Sequence, residues 1–381
     1  MIDERPLAPY LLWAKTRKAA AIDLAGSNLL PVPIDDLPGA REAVDIATPN
    51  DNGYAPVIDA IAAHYALESS RVVTATGCSG ANFLVMAALV GAGDDVLVER
   101  PAYDPLIGAA RLMGANVIRF ERRFEDGFCV DREAVARAMT PRTRLIVVTT
   151  PHNPSGVAMD IATLDALASL AASARAHVLV DEVYLDAACL VADRPVAARS
   201  AARGDGPVIV TSSLTKSYGL AGLRAGWAIA PPAVAERLRR ARDVIDNASS
   251  GPADRLTAVA WAALPRLQAR TRALLGAGVA DARAFFAAHP EFELPEPPSC
   301  SVVFPRLRGV ADAGAFVQRL LDERGIAVAP GHFFEAPAHF RINLGTGLFS
   351  TAFPQEGDGP LASAAPNEAP QDPQSGPRGP R

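Results

Sequence analysis

Short apolar runs rich in β-branched residues recur from Val72 to Ala230, separated by longer Ala- and Leu-rich stretches with helical spacing of the apolar positions. The runs predict strands at Val72–Thr74, Asp95–Glu99, Asn116–Phe120, Leu145–Thr149, Val178–Asp181, Val208–Thr211 and Ala225–Ala230. Helical patterns lie between several of them, at Gly80–Leu89, Asp104–Met113 and Ile161–Ala174. Strand–helix alternation of this kind predicts an α/β domain built on a mainly parallel sheet of seven strands flanked by helices. Strands with few polar interruptions fit a sheet covered on both faces.

The pattern changes after Pro231. Residues Ala233–Val244 and Pro252–Ala288 read as long helices, and Phe292 to Leu344 returns to short strands with Pro-rich turns, predicting a second, smaller α+β domain. The expected division is an N-terminal segment, 1–45, contributing to the small domain, a large domain over 46–245 and the small domain over 246–348. From Phe349 onward the chain is rich in Pro, Gly, Ala, Gln and Asp without apolar periodicity, which predicts a disordered tail over 349–381.

Composition narrows the function classes. The 381 residues are 49% hydrophobic and 21% charged, ample for a dry core, and a net charge of -5 gives no reason to expect nucleic acid or an anionic membrane as partner. Lysine occurs only at Lys15, Lys18 and Lys216, so a lysine within a motif is easy to interpret. The four cysteines form no C-x-x-C pair and share no zinc-like spacing with the histidines, so no metal site is expected and reduced thiols fit a cytoplasmic location. The N-terminus lacks an apolar signal core, and runs such as Ala81 to Val90 fall short of the ~20 residues that span a bilayer.

One segment carries specific chemistry. TSSLTKSYGLAGLRAGW, residues 211–227, places Lys216 just past a strand, among hydroxyls and glycines. Lysine can form an imine with an aldehyde cofactor, and burial among apolar groups favours its neutral form. Ser213 and Arg224 add a hydroxyl and a planar cation suited to a phosphate. An exposed loop lysine is the bland alternative. The serine β-lactamase and penicillin-binding class also uses S-x-x-K, but its S-D-N and K-T-G companions do not occur here.

The lysine segment resembles the signature of the class I/II aminotransferases, the aspartate-aminotransferase-like, fold-type I enzymes that use pyridoxal 5'-phosphate (PLP). The resemblance implies that Lys216 carries PLP as a Schiff base and that Ser213 and Arg224 bind its phosphate. It extends over four further segments, roughly Leu24 to Gly345. In TTPHNPSG (149–156), Asn153 matches the asparagine that donates to the PLP phenolic oxygen and adjoins the substrate. In VLVDEVYLD (178–186), a strand-end Asp181 is expensive to bury without a cation, and the resemblance supplies one in the pyridine nitrogen, with Tyr184 on the phenolic oxygen. TATGCSGANFLVMAAL (74–89) reads as strand, glycine turn and helix, and Ser79, Gly80 and Ala81 occupy the family's phosphate-binding turn. In ERPAYDPL (99–106), Tyr103 fits the aromatic residue that stacks on the ring. Tyr54 resembles the tyrosine that reaches the phosphate of the other subunit, which implies a homodimer, and Gly26 the glycine lining the substrate pocket.

At the substrate end, HFRINLG (339–345) puts Arg341 in a short strand, where a buried guanidinium needs an anion. The resemblance implies that it binds the α-carboxylate of an amino acid, with a 2-oxo acid as second substrate. The same cradle serves C–S lyases, decarboxylases and cyclising enzymes, and the sequence leaves those alternatives open beside amino transfer, along with a degenerate, non-catalytic copy. The chain departs from the family after the arginine strand, where a C-terminal helix is replaced by TGLFSTAFPQEGDG. That loss predicts an uncovered apolar face on the small domain.

Overall fold

The computed structural model describes residues 7–195, 200–202, 204 and 206–354. Its centre is a seven-stranded sheet: β1 (Val72–Thr76), β2 (Asp95–Arg100), β3 (Asn116–Glu121), β4 (Thr143–Thr149), β5 (His177–Asp181), β6 (Val208–Ser213) and β7 (Ala225–Ile229), in the spatial order β1-β7-β6-β5-β4-β2-β3. Only β7 runs against its neighbours, pairing antiparallel with β1 and β6, while β6, β5, β4, β2 and β3 pair in parallel. All seven expected strands are present within a residue or two at each end. Val96–Val98, Leu145–Val148 and Val178–Val180 are buried without interruption, as required of parallel strands packed on both faces.

Helices flank this sheet. The ones that matter for the site are α1 (Pro9–Thr16), α2 (Gly77–Leu89), α3 (Asp104–Leu112) and the short α4 (Leu214–Tyr218). One core fills the side of α2 and α3 with Leu84, Val85 and Leu106, and another fills the opposite side with Ile61, Leu167 and Trp227. Beyond β7, the single helix expected over Pro252–Ala288 is two, α5 (Gly251–Ala262) and α6 (Leu264–Ala288). Pro265 explains the break: it lacks an N–H and fits only the first turn of a new helix.

A third core gathers on α6, the helix α7 (Gly314–Arg324) and a small antiparallel sheet of β8 (Val302–Val303), β9 (Ala329–Pro330) and β10 (Phe340–Asn343). The N-terminal Ile22–Asp23 pairs in parallel with Ile326–Ala327, so the chain start is stitched to this unit. The tail begins later than the sequence predicts. Phe349–Ala352 forms α8, and Phe349 and Phe353 are buried against Phe285 of α6. An aromatic pair at i and i+4 covers part of the face expected to be bare. Residues 355–381, the rest of the expected tail, lie outside the described residues.

Candidate active site

The carboxyl ends of the parallel strands open onto a cavity of about 380 Å³, the usual place for a ligand in an open α/β sheet. Ser79, Tyr103, Asn153, Asp181, Tyr184, Ser213, Lys216 and Arg224 all line it. Most stand at the carboxyl end of a strand, in the loop that follows or in the first turn of the next helix, and Arg224 stands just before β7, which is why residues far apart in sequence converge.

Asp181 closes β5 and is buried at the cavity floor. Its Oδ2 accepts a hydrogen bond from Asn82 Nδ2 at 2.8 Å, and Oδ1 accepts from the Val183 N–H at 3.0 Å and the Cys78 thiol at 3.3 Å. Asn82 is fixed in turn by Thr211, whose hydroxyl donates to Asn82 Oδ1 at 2.5 Å. Burial raises the carboxyl pKa, and these donors pull it back. A carboxylate so placed is suited to a cationic ring nitrogen.

Lys216 sits on α4, between β6 and β7. Its Nζ donates to Asn28 Oδ1 at 2.7 Å and Ser27 Oγ at 3.0 Å. Burial, followed by the positive charges of Arg341 and Arg224, lowers its pKa from 10.5 to about 7. At neutral pH a large fraction is therefore the free amine, the form that attacks carbonyls and accepts protons.

Opposite Asp181, the lysine loop locks onto the start of α2. Gly77 N–H donates to the Arg224 carbonyl at 2.6 Å, and Gly226 packs so closely on Gly77 that a Cβ on either residue would collide with the other segment. Arg224 holds a left-handed backbone conformation (φ 51°) with its guanidinium over Gly77. Gly226 thus serves a backbone-to-backbone approach. The helix start also corrects the phosphate turn. Because α2 begins at Gly77, the amides free of intrahelical partners are those of Cys78 and Ser79, whereas Ala81 is in the fifth position, its N–H inside the helical ladder and its methyl in the core. Gly80 likewise does not line the cavity.

Arg341 in β10 is fully buried behind Asn153, not on the cavity wall. Its Nη1 donates to Asn153 Oδ1 at 2.8 Å, and Nη2 donates to the Tyr10 hydroxyl at 2.6 Å and the Ala25 carbonyl at 3.0 Å, while Nε has no partner. Arginine can only donate, so the oxygen of Asn153 faces it and the amide nitrogen is left for the cavity. Gly26 is exposed, and its neighbours Ser27 and Asn28 form the wall in its place. Tyr54 caps the helix Ala55–Tyr65 outside the cavity.

Sequence reasoning missed Tyr10, Lys15, Ser27, Asn28, Cys78, Asn82 and Thr211. Asn82 had a signal: it is a polar residue in the apolar body of α2, four positions after Cys78 and so on the same face.

The donor set fits PLP. A buried carboxylate faces a helix N-terminus and an arginine across a near-neutral lysine, and a hydroxyl on this wall, Thr215 Oγ1, is buried without a hydrogen-bond partner among the described residues. The family model for aminotransferase class I and II matches residues 41–348. This chain belongs to that family. It is a PLP-dependent aminotransferase of fold type I. Among curated relatives, capreomycidine synthase of Streptomyces vinaceus is 35% identical over 282 residues, 72% of this chain and 69% of that protein. Arginine–pyruvate transaminase AruH of Pseudomonas aeruginosa is 32% identical, covering 73% of this chain and 71% of its own length. A crystal structure of a PLP-dependent aminotransferase from Streptococcus suis superposes with a TM-score of 0.80 at 23% identity, over 93% of this chain and 100% of that one, and shows the shared fold.

Proposed function

We propose that the enzyme moves an amino group between an amino acid and a 2-oxo acid, with Lys216 both holding the cofactor and moving the substrate proton. The observation that carries this reading is Lys216 at a pKa of about 7, in one cavity with the buried Asp181 and with Arg224 beside the α2 N-terminus. When bound, PLP supplies an aldehyde that takes up the amino group and a ring that withdraws electrons from the substrate Cα. Asp181, held by Asn82, Val183 and Cys78, would keep a proton on the ring nitrogen. Asn153 Nδ2 and the Tyr184 hydroxyl would hold the phenolic oxygen, with Tyr103 on the wall beside the ring. Arg224, Ser213, Ser79 and the free amides of Cys78 and Ser79 would hold the phosphate. Arg341 takes the substrate α-carboxylate after giving up its bond to Tyr10, which fixes the Cα–H bond toward Lys216. The Nζ of Lys216, in large part a free amine at neutral pH, would then accept the proton from the substrate Cα.

The remaining expectations extend this reading. The chain is divided at about residues 45, 245 and 348 into the N-terminal segment, the large and the small domain. A homodimer carries Tyr54 to the phosphate site of a second copy. The enzyme works in the cytoplasm. The four cysteines are free thiols and no described helix is long and apolar enough to cross a membrane, which supports that location.

A second reading, bond-forming or eliminating chemistry in the same site, draws support from the likeness to capreomycidine synthase. Product analysis separates the two. Amino transfer gives one equivalent of 2-oxo acid per site and stops until a 2-oxo acid acceptor is added. Continuous release of 2-oxo acid with free ammonia and no acceptor would overturn it in favour of elimination.

A further inference from the structure

The cavity wall carries three cations, and the proposed function uses two of them. Arg224 sits at the helix-start end and Lys216 at the centre. The third is Lys15 on α1, which has no ion-pair or hydrogen-bond partner among the described residues. Leu11, one helical turn before it, lines the same cavity, so the Leu11–Lys15 face of α1 is the face turned to the site. The helix is held in place there. Tyr10 N–H donates to Asp104 Oδ2 at 2.7 Å, and its hydroxyl donates to the Ala25 carbonyl at 2.9 Å while accepting from Arg341. Among the described residues the only carboxylate on the wall is Asp181, committed at the floor.

An amino acid whose α-carboxylate points to Arg341 therefore meets, along α1, an apolar side chain and then an ammonium that no described residue pairs, with no acid among the described wall residues to receive a positive side chain. We propose that Lys15 recognises a distal carboxylate, making the preferred donors dicarboxylic amino acids whose methylene stem passes Leu11. This rests on the reading of the cavity as an amino-acid site. Lys15 is exposed, so the pair it forms is partly screened by water and salt, and an effect of about fivefold is expected.

The test compares the PLP-loaded wild type with Lys15→Met and Lys15→Glu. One readout is calorimetric binding of glutarate and of valerate, a dicarboxylate and a monocarboxylate of equal chain length. The other is kcat/KM for glutamate, 2-aminoadipate, norleucine and arginine. Glutarate is expected to bind more tightly than valerate in the wild type, to lose about fivefold or more in Lys15→Met, and to weaken as salt is raised, with valerate unchanged. Glutamate and 2-aminoadipate should lose kcat/KM by the same factor, norleucine should hold, and Lys15→Glu should gain on arginine. Equal losses for acidic and neutral ligands, or no preference for glutarate in the wild type, overturn the proposal. If the glutarate effects hold while no amino acid is turned over, the dicarboxylate site stands and the amino-transfer reading falls.

Discussion

The two ends of the cavity are built differently. At the cofactor end, Asp181, Ser213 and the start of α2 belong to the ends of β5, β6 and β1, and each is held by neighbours that leave it little freedom: Asn82 and Thr211 behind Asp181, and the Gly77–Gly226 contact beneath Arg224. At the substrate end, Arg341 comes from β10, Tyr10 and Lys15 from α1, and Ser27 and Asn28 from the N-terminal segment. There the partners can be exchanged. Arg341 rests on Tyr10 and Asn153, Lys216 rests on Asn28 and Ser27, and Lys15 has no hydrogen-bond or ion-pair partner among the described residues. On the proposed reading, chemistry that must not vary is placed on strand ends within one sheet, while recognition is assembled from pieces whose contacts substrate can replace.

That contrast can be broken by mutation. The largest effect is expected at the fixed end. Asp181→Ala removes the carboxylate at the cavity floor and should cut kcat by about 10²–10³-fold, the scale of a lost preorganised electrostatic partner. A loss below tenfold would mean that the buried acid is not tied to the chemistry. Asn82→Ala takes one of three donors from Asp181 and should raise its pKa further. At a cost of about 1–3 kcal/mol, cofactor affinity or kcat falls about 10–100-fold, with the pH dependence of the visible absorbance shifted. An unchanged spectrum with reduced activity would place Asn82 outside the network.

The apoprotein offers a third test. Lys216 titrates near 7 in the folded chain against 10.5 when unperturbed, so between those values the unfolded chain binds the extra proton and stability rises with pH. The penalty is complete below about pH 7. Lys216→Met apoprotein should therefore melt above wild type near pH 7, with the gap closing toward pH 10. A gap that widens with pH would contradict the depressed lysine. The smallest effect on the site is expected from Phe353→Ala. It should cost about 3–5 kcal/mol of stability by opening the packing on Phe285, yet leave kcat nearly unchanged at low temperature. A large change in kcat without loss of stability would tie the C-terminal cover to the site.

How much of this was legible follows the same division. Strands buried on both faces read as unbroken apolar runs, and polar residues at their ends, such as Asp181 and Lys216, stand out against them. The lysine loop is compact enough to read as one motif. The pieces that escaped make contacts across distances the sequence does not encode: Tyr10 to Arg341 spans 331 positions and Asn28 to Lys216 spans 188. The helix expected from Gly80 begins at Gly77, because its start is set by local hydrogen bonding there, which composition does not mark. Phe349 and Phe353 were missed because a single helical turn carries too few residues to show a period.

The most direct test of Lys216 as the cofactor-bearing residue is borohydride reduction of the PLP-loaded protein, followed by peptide mass mapping. With only Lys15, Lys18 and Lys216 in the chain, three sites can carry the pyridoxyl group on a lysine. The pyridoxyl mass should fall on Lys216, and Lys216→Ala should carry none. A label on Lys15 or Lys18, or a folded wild type that takes none, would contradict the assignment.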